Sequence, residues 1–315
     1  MISGLFLPDV ILASGAVISM FSNLSTHQIG LAAAVASPAL WGIAPIFFHF
    51  LTAFALDEIL AHRAIWAAVF MLGLFIILGD GKTLFTTIQT KKQLVGLFAG
   101  ACLVTINWTA FLYSVGTAQI TESAFGYFIY PLMAIALGLI VFREKLDRRG
   151  WLALVVATAG VLVKATQLDG FPYIALLIGA SFAVYAVVRK QINIDAFAGM
   201  VIELLMIAPI MLAYLVYLTF VIKPEGESLF LDGSSYGVMM ALASGIVTSV
   251  PLVLFHVGNR FLRLSMTGFL FYINPSLQLL VGVLLFQEAF FWQDMLAFGL
   301  IWTALLFQFA RLPKR

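Results

Sequence analysis

The stretch Phe125-Gly-Tyr-Phe-Ile-Tyr-Pro131, running on to Phe142-Arg-Glu144, recurs 144 residues later as Phe269-Leu-Phe-Tyr-Ile-Asn-Pro275, running on to Phe286-Gln-Glu288. At this one offset Pro131 meets Pro275, Gly138 meets Gly282 and Glu144 meets Glu288. Upstream, Val104-Thr105 meets Thr248-Ser249, and Asn107 meets Pro251. Any two apolar helices share a small alphabet and align weakly by chance. Coincident Pro, Gly and Glu at a fixed offset argue against chance. Both copies are almost wholly apolar. A duplicated apolar half is the usual signature of a secondary transporter, whose substrate site lies where the halves meet.

Composition supports the same class. Hydrophobic residues make up 63% of the 315-residue chain and charged residues 10%. A soluble domain is nearer half apolar and a quarter charged, so this is an integral membrane composition. At about 20 residues per spanning helix, the length holds about ten spans with short loops. The apolar runs are long and continuous, not alternating over about ten residues, which excludes a β-barrel. The net charge of +2 gives no footing for nucleic acid. The lone cysteine, Cys102, excludes a disulfide framework and a cysteine-rich metal site.

Ten apolar segments can be read, at 29–51, 59–78, 94–113, 121–141, 151–168, 171–188, 198–222, 236–257, 264–286 and 292–310. The predicted fold class is therefore an all-α integral membrane protein of ten transmembrane helices in two five-helix repeats. The expected units are an N-terminal extension at 1–28, a first repeat at 29–168 and a second at 169–311. The boundary at Asp169-Gly170 is the least distinct. Basic residues set the orientation. Of the 17 Lys and Arg, only Arg63, Lys164 and Lys223 fall in one set of alternate breaks. The rest fall in the other set, which is thereby assigned to the cytoplasm together with both termini. A shift of 144 residues is also a shift of five spans. The copies then enter the membrane from opposite sides, and the repeat is inverted about an axis in the membrane plane.

The extension carries an apolar run, Val10 to Phe21, too short to span and interrupted at Pro8-Asp9. No Lys or Arg precedes it, so it does not read as a signal peptide. It is either an interfacial helix or, the preferred reading, a stretch ahead of a true start at Met20 that leaves residues 1–19 outside the native protein.

Several motifs are specific enough to carry a family resemblance. They are Trp41-Gly-Ile-Ala-Pro45, Asp57-Glu-Ile-Leu-Ala-His-Arg-Ala-Ile-Trp66, Asn107-Trp108, Glu122-Ser-Ala-Phe-Gly-Tyr-Phe-Ile-Tyr-Pro131 and Arg143-Glu-Lys-Leu146. Further on come Val188-Arg-Lys190, Glu203, Gly245-Ile-Val-Thr-Ser-Val-Pro-Leu252, Arg260-Phe-Leu-Arg-Leu-Ser265 and Tyr272-Ile-Asn-Pro275. Over about residues 29–310 the chain resembles the RarD proteins, of the EamA group in the drug/metabolite transporter superfamily. The resemblance implies ten helices in two EamA-type halves and transport across a bacterial inner membrane. RarD proteins carry a label of chloramphenicol sensitivity. Two departures fall near the expected cavity: Tyr130 stands where an Asn is usual, and Phe271 where a Gln is usual.

Ionisable groups inside spans cost about 2.5–3.5 kcal/mol on insertion scales, which makes each a functional candidate. Tyr130 and Asn274 lie near the middle of helices 4 and 9, each directly before a Pro. Proline lacks an N–H and frees a carbonyl one turn back, and helices broken at the midplane can offer backbone to a substrate. The predicted substrate cavity is Asn107, Trp108, Tyr127, Tyr130, Pro131, Tyr272, Asn274 and Pro275. The blander reading is that these prolines only shape packing. On helix 2, Glu58 and His62 share a face with Arg63 beside them. With Glu122 they form the predicted outer gate, against a reading in which Arg63 snorkels to headgroups. Glu203 and Arg189 are the predicted inner gate or coupling pair, against a fixed salt bridge. Glu144 and Glu288 are expected to be helix-end anchors, and His49 and His256 packing or interfacial residues.

No catalytic residue, cofactor motif or metal-ligand spacing is read from the chain. The expected function is a secondary transporter of small organic solutes, drugs or metabolites, by efflux or exchange. Its expected partners are a small-molecule substrate, the lipid bilayer and protons as candidate coupling ion. The alternatives are a non-transporting membrane assembly or sensor protein and, less favoured, an intramembrane enzyme on lipid-linked substrates. The loops are short and poor in the ligands such an enzyme needs.

Overall fold

The computed structural model describes residues 25–51, 55–77, 87–117, 120–168, 170–222, 235–287 and 289–309. Residues 1–24, Glu288 and the side chain of Glu122 lie outside this description, so the expectations placed on them stand as stated above. The described chain is helical throughout. The helices are α1 (Thr26–His49), α2 (Leu56–Ile77), α3 (Lys91–Gly116), α4 (Ile120–Val141) and α5 (Arg148–Ala165). The second five are α6 (Tyr173–Ile192), α7 (Ala196–Tyr217), α8 (Ser235–Phe261), α9 (Leu264–Leu285) and α10 (Trp292–Phe309).

Short polar residues set the starts. Ser25 makes a capping box at α1: its Oγ accepts from Gln28 N, and its own N–H donates to Gln28 Oε1 at 2.8 Å. Asp147 caps α5 by accepting from Gly150 N, and Asp195 caps α7 by accepting from Phe197 N and Ala198 N. The boundary at 169–170 resolves as a break between α5 and α6, where Gly170 takes a φ of 121° open to glycine.

Two helix pairs repeat their bounds at the offset seen in the sequence, while α2 and α7 differ by 140. α4 and α9 differ by 144 at both ends, as do α5 and α10. After α4, Arg143 turns left-handed at φ 51°, and its counterpart Gln287 after α9 does so at φ 57°. At α4 the amide of Glu144 reaches back past the left-handed Arg143 to Gly138 O at 3.1 Å, satisfying a carbonyl of the last turn. Packing repeats too. α4 packs on α6 as α9 packs on α1, α3 on α6 as α8 on α1, and α8 on α2 as α3 on α7. The remaining major contacts are α2 with α7, α4 with α9 and α5 with α10. Exchanging the first five helices for the second five leaves this pattern unchanged.

Eight of the helices are long and apolar enough to cross a membrane. α5 and α10, of 18 residues each, are outside that set. α5 carries Arg148, Arg149 and Lys164; α10 carries Gln293, Asp294 and Gln308. They pack on one another, with Lys164 ion-paired to Asp294, and bury Phe125, Phe128, Phe269 and Tyr272 against Ala153, Ala157, Phe298 and Ile301. This layer backs α4 and α9 from outside. The larger core lies among α2, α3, α4, α6, α7 and α8.

The two proline helices differ. α9 breaks at Tyr272 into Leu264–Phe271 and Ile273–Leu285, with Tyr272 N turning to Phe269 O. α4 runs unbroken through Pro131. At α4 the proline shapes packing without interrupting the helix, the blander of the two readings. There the Pro131 carbonyl faces Gly268, where a Cβ would come within 3.0 Å, so α4 and α9 cross closely at this point and keep the turn in place.

Candidate functional site

A cavity of about 130 Å³ lies between the two sets of five helices. At 10–15 Å³ per water this is room for about ten water-sized groups. α1, α2, α3 and α4 contribute Trp41, Phe48, Arg63, Asn107, Trp108 and Tyr127, among others. α6, α8 and α9 contribute Phe182, Thr248, Phe271, Asn274 and Gln278, among others. Phe48, Arg63, Phe111 and Tyr127 all come from the ends of helices next to the α1–α2 and α3–α4 connections, so the cavity lies toward that end of the molecule. Its floor is an aromatic cluster. Tyr130 packs on Phe271 at 4.4 Å and on Phe182 at 4.9 Å, and Phe182 stacks on Phe255 at 4.8 Å.

Arg63 is the charged side chain of the described lining. Its Nε donates to Thr248 Oγ1 at 3.1 Å, and its guanidinium carbon lies 4.9 Å from the Trp108 ring and 5.4 Å from the Phe48 ring. Cation–π attraction of this kind holds the fork in place without using its Nη groups. Asn107, buried on α3, ties three helices together. Its Nδ2 donates to Ile178 O at 2.9 Å and to Ser181 Oγ at 3.3 Å, and its Oδ1 accepts from Tyr127 Oη at 3.3 Å. Asn274, buried just past the break in α9, has an Oδ1 with no hydrogen-bond partner among the described residues. Gln278 sits one turn on, on the same face.

The opposite end of the molecule is nearly filled, with a cavity of about 30 Å³ lined by Arg189, Lys190 and His256 among others. Buried Glu203 lies 3.5 Å from Arg189 Nη1 and accepts from Tyr185 Oη at 2.8 Å, and that hydroxyl is 2.7 Å from His256 Nε2. Glycines make the room: a Cβ on Gly100 would collide with Glu203 Oε1, and one on Gly199 with Arg189 Nη1. Two contacts there join the two sets of helices. Glu144, after α4, accepts from Leu264 N at 2.7 Å and Ser265 N at 2.9 Å, capping α9 from another helix. Lys190 lies 5.6 Å from the Phe142 ring and donates to Leu262 O and, at 2.6 Å, to Asn259 O at the end of α8.

Against the predicted cavity set, the structure brings Asn107, Trp108, Tyr127 and Asn274 into the lining together with Arg63. Four others are elsewhere. Tyr130 lies beneath, in the aromatic floor. Tyr272, two residues before Asn274 and so on nearly the opposite face of the helix, packs on Phe128 in the α5–α10 layer. Pro131 and Pro275 shape helices and do not line the space. In the predicted outer gate, Glu58 and His62 are buried and pair with each other at 3.8 Å, off the lining, while Arg63, the next residue round the helix, turns into it. Glu203 and Arg189 meet as expected. His256, expected as a packing or interfacial residue near a helix end, is buried against Tyr185 and Phe255 and touches the Glu203 network through Tyr185 Oη. Sequence reasoning missed Trp41, Phe182, Thr248 and Gln278. Thr248 had a signal, being polar where its repeat partner Val104 is apolar, and so did Gln278, four residues after Asn274.

The comparisons with known proteins fit this architecture. The model of the EamA-like transporter family matches residues 28–166. The protein RarD of Escherichia coli (strain K12) is 38% identical over 276 residues, 88% of this chain and 92% of that one. The uncharacterized transporter YojE of Bacillus subtilis (strain 168) is 33% identical over 270 residues, 85% of this chain and 89% of that one. A protein of Pseudomonas aeruginosa named chloramphenicol-sensitive protein RarD is 26% identical, over 88% of this chain and 92% of its own. One solved crystal structure superposes with a TM-score of 0.70 at 16% identity, over 90% of this chain and 99% of that one, and so shares the fold. With most of its length aligned to RarD at this identity, the chain belongs to the RarD proteins of the EamA-like transporter family and is a multi-pass membrane transporter.

Proposed function

We propose that this transporter moves small organic solutes by alternating access between two inverted five-helix halves, residues 29–168 and 169–311. The observation that carries the reading is the cavity: both halves line it, and it lies toward one end, while the other end holds only about 30 Å³ beside its ion pair and cross-repeat cap. The 144-residue offset shared by α4 with α9 and by α5 with α10, and the exchange-related packing, support the inverted repeat. α5 and α10 are then the two shortest spans, about 27 Å long at 1.5 Å per residue, close to a hydrocarbon core of about 30 Å. A non-transporting assembly or sensor protein would fill this central space with packed side chains.

The basic residues put the α4–α5, α6–α7 and α8–α9 connections in the cytoplasm of a bacterial inner membrane. The cavity then faces outward and the nearly filled end inward. Glu203, buried beside Arg189, Tyr185 and His256, is the group placed to take a coupling proton. Direction is efflux or exchange. The test is flux in proteoliposomes, screening labelled metabolites and drugs, chloramphenicol included for its place in a relative's name, under a proton gradient or with counter-solute. At least one solute is expected to move, and Asn274→Ala should slow it without loss of folded protein. No binding and no flux across the screen would sink the reading.

A further inference from the structure

The polar groups of the cavity divide into two kinds, and the division says what it takes. One kind is engaged inside the protein. Asn107 is held by Ile178 O, Ser181 and Tyr127, and Thr248 by Arg63 Nε. The other kind is left for a ligand. It comprises the Nη groups of Arg63, which have no carboxylate partner among the described residues, and Asn274 Oδ1, 2% exposed as a residue and without a partner. Glu58, the nearest carboxylate in sequence, pairs with His62 instead.

We propose that the cavity selects a small organic monoanion with a flat apolar body. Its carboxylate sits on the Nη edge of Arg63, its ring lies among Trp41, Trp108, Phe182 and Phe271, and a hydroxyl or amine N–H donates to Asn274 Oδ1. This rests on the solute-carrier reading above. The guanidinium fork matches a carboxylate with two parallel bonds, and here Thr248 and two aromatic rings fix its direction in advance. Charge limits the class: the described lining offers one cation, which suits one negative charge. Size limits it further. A space of about 130 Å³ suits a single-ring acid.

The test uses the purified full chain in phosphatidylcholine nanodiscs and three families of shape-matched probes. These are benzoate, phenylacetate and 4-hydroxyphenylacetate, their neutral amides, and the amine tyramine. Calorimetry on the wild type should show the acids binding at least tenfold tighter than their amides, with tyramine not binding. Arg63→Gln should bring acid and amide to within about twofold. Asn274→Leu should weaken 4-hydroxyphenylacetate and spare phenylacetate. The wild-type comparison stands even where Arg63→Gln fails to fold. Amides binding as tightly as acids would overturn the charge assignment and leave the carrier reading intact. Acids binding in phosphatidylcholine but not in phosphatidylglycerol nanodiscs at high salt would overturn it as well, since a net-anionic lipid headgroup would then be the natural occupant. If no probe of any kind binds, the proposal fails, and the flux screen decides separately on the carrier.

Discussion

Removing the carboxylate of Glu144 should unlatch the nearly filled end. Glu144 accepts from two backbone N–H groups at the start of α9, Leu264 N at 2.7 Å and Ser265 N at 2.9 Å, and from the Ser265 hydroxyl. It does so from the far side of the repeat interface, and Gly138 leaves the space its carboxylate occupies. An N-cap lost to alanine costs about 0.5–2 kcal/mol, and a negative charge at a helix N-terminus adds about 0.3–1 kcal/mol. Glu144 is only partly buried, so water recovers some of the loss. About 1–2 kcal/mol against the closed inner end remains, a factor of roughly 5–30 in the open population. The assay places a cysteine at Ala134, fully buried in α4 beside α9, in a Cys102→Ser background. Cys102 is the chain's one cysteine, so this background is otherwise silent. Maleimide labelling of the Ala134→Cys protein should speed up roughly 5–30-fold with Glu144→Ala. Glu144→Gln, which keeps an acceptor but not the charge, should give a smaller rise. Labelling that stays at the parent rate with Glu144→Ala would refute the latch.

At Gly100, a Cβ would collide with Glu203 Oε1 and lie 3.2 Å from Tyr185, so Gly100→Ala should lower stability by about 1–3 kcal/mol, read as a fall in Tm. Gly73→Ala, whose Cβ meets nothing within 4 Å, is the matched control and should gain roughly 0.5–1 kcal/mol. Asn107→Ala removes one of the two side-chain donors to the Ile178 carbonyl and leaves the Tyr127 hydroxyl without its acceptor, and should cost about 1–3 kcal/mol, with faster hydrogen exchange in α6 than in α10. Reporter fusions at the C-terminus and in the α4–α5 connection should report cytoplasm, and fusions between Lys223 and Ser235 the outside; a cytoplasmic Lys223 would break the span count.

Period and punctuation made the helices legible. Apolar runs of spanning length, broken by charged clusters, place every described helix within a few residues, because in lipid each backbone group must be satisfied inside its own segment. The site was only partly legible for a reason visible in α9. Sequence gives depth along a helix, but not azimuth when nearly every position is apolar. Asn274 and Tyr272 are both polar, equally deep and two residues apart, yet one faces the cavity and the other the α5–α10 layer. Arg63 and His62 are adjacent and part in the same way. Proline was a weaker guide still. Pro131 and Pro275 share one motif, but only α9 breaks, because packing decides whether a missing N–H becomes a break.

Arg63 and Glu203 carry a last consequence. α2 and α7 are counterparts in the proposed repeat and have 22 residues each; Arg63 and Glu203 are each the eighth residue of their helix. The two helices therefore hold opposite charges at one depth. Glu203 is matched inside the protein by Arg189 and Tyr185, and its end is closed. Arg63 is matched by rings and a hydroxyl but by no described anion, and its end holds the cavity. Closing the outer end over an empty cavity would take this cation out of reach of water, at about 2.5–3.5 kcal/mol for an Arg inside a span. At 1.36 kcal/mol per decade that slows the empty return by about two orders of magnitude. A bound carboxylate cancels the penalty by crossing with the cation. Exchange should therefore run roughly 100-fold faster than net flux. Proteoliposomes preloaded with unlabelled solute should take up label at that advantage over buffer-filled ones, and Arg63→Gln should narrow the ratio to less than about tenfold. Equal uptake into loaded and empty vesicles by the wild type would show that Arg63 finds another partner as the cavity closes.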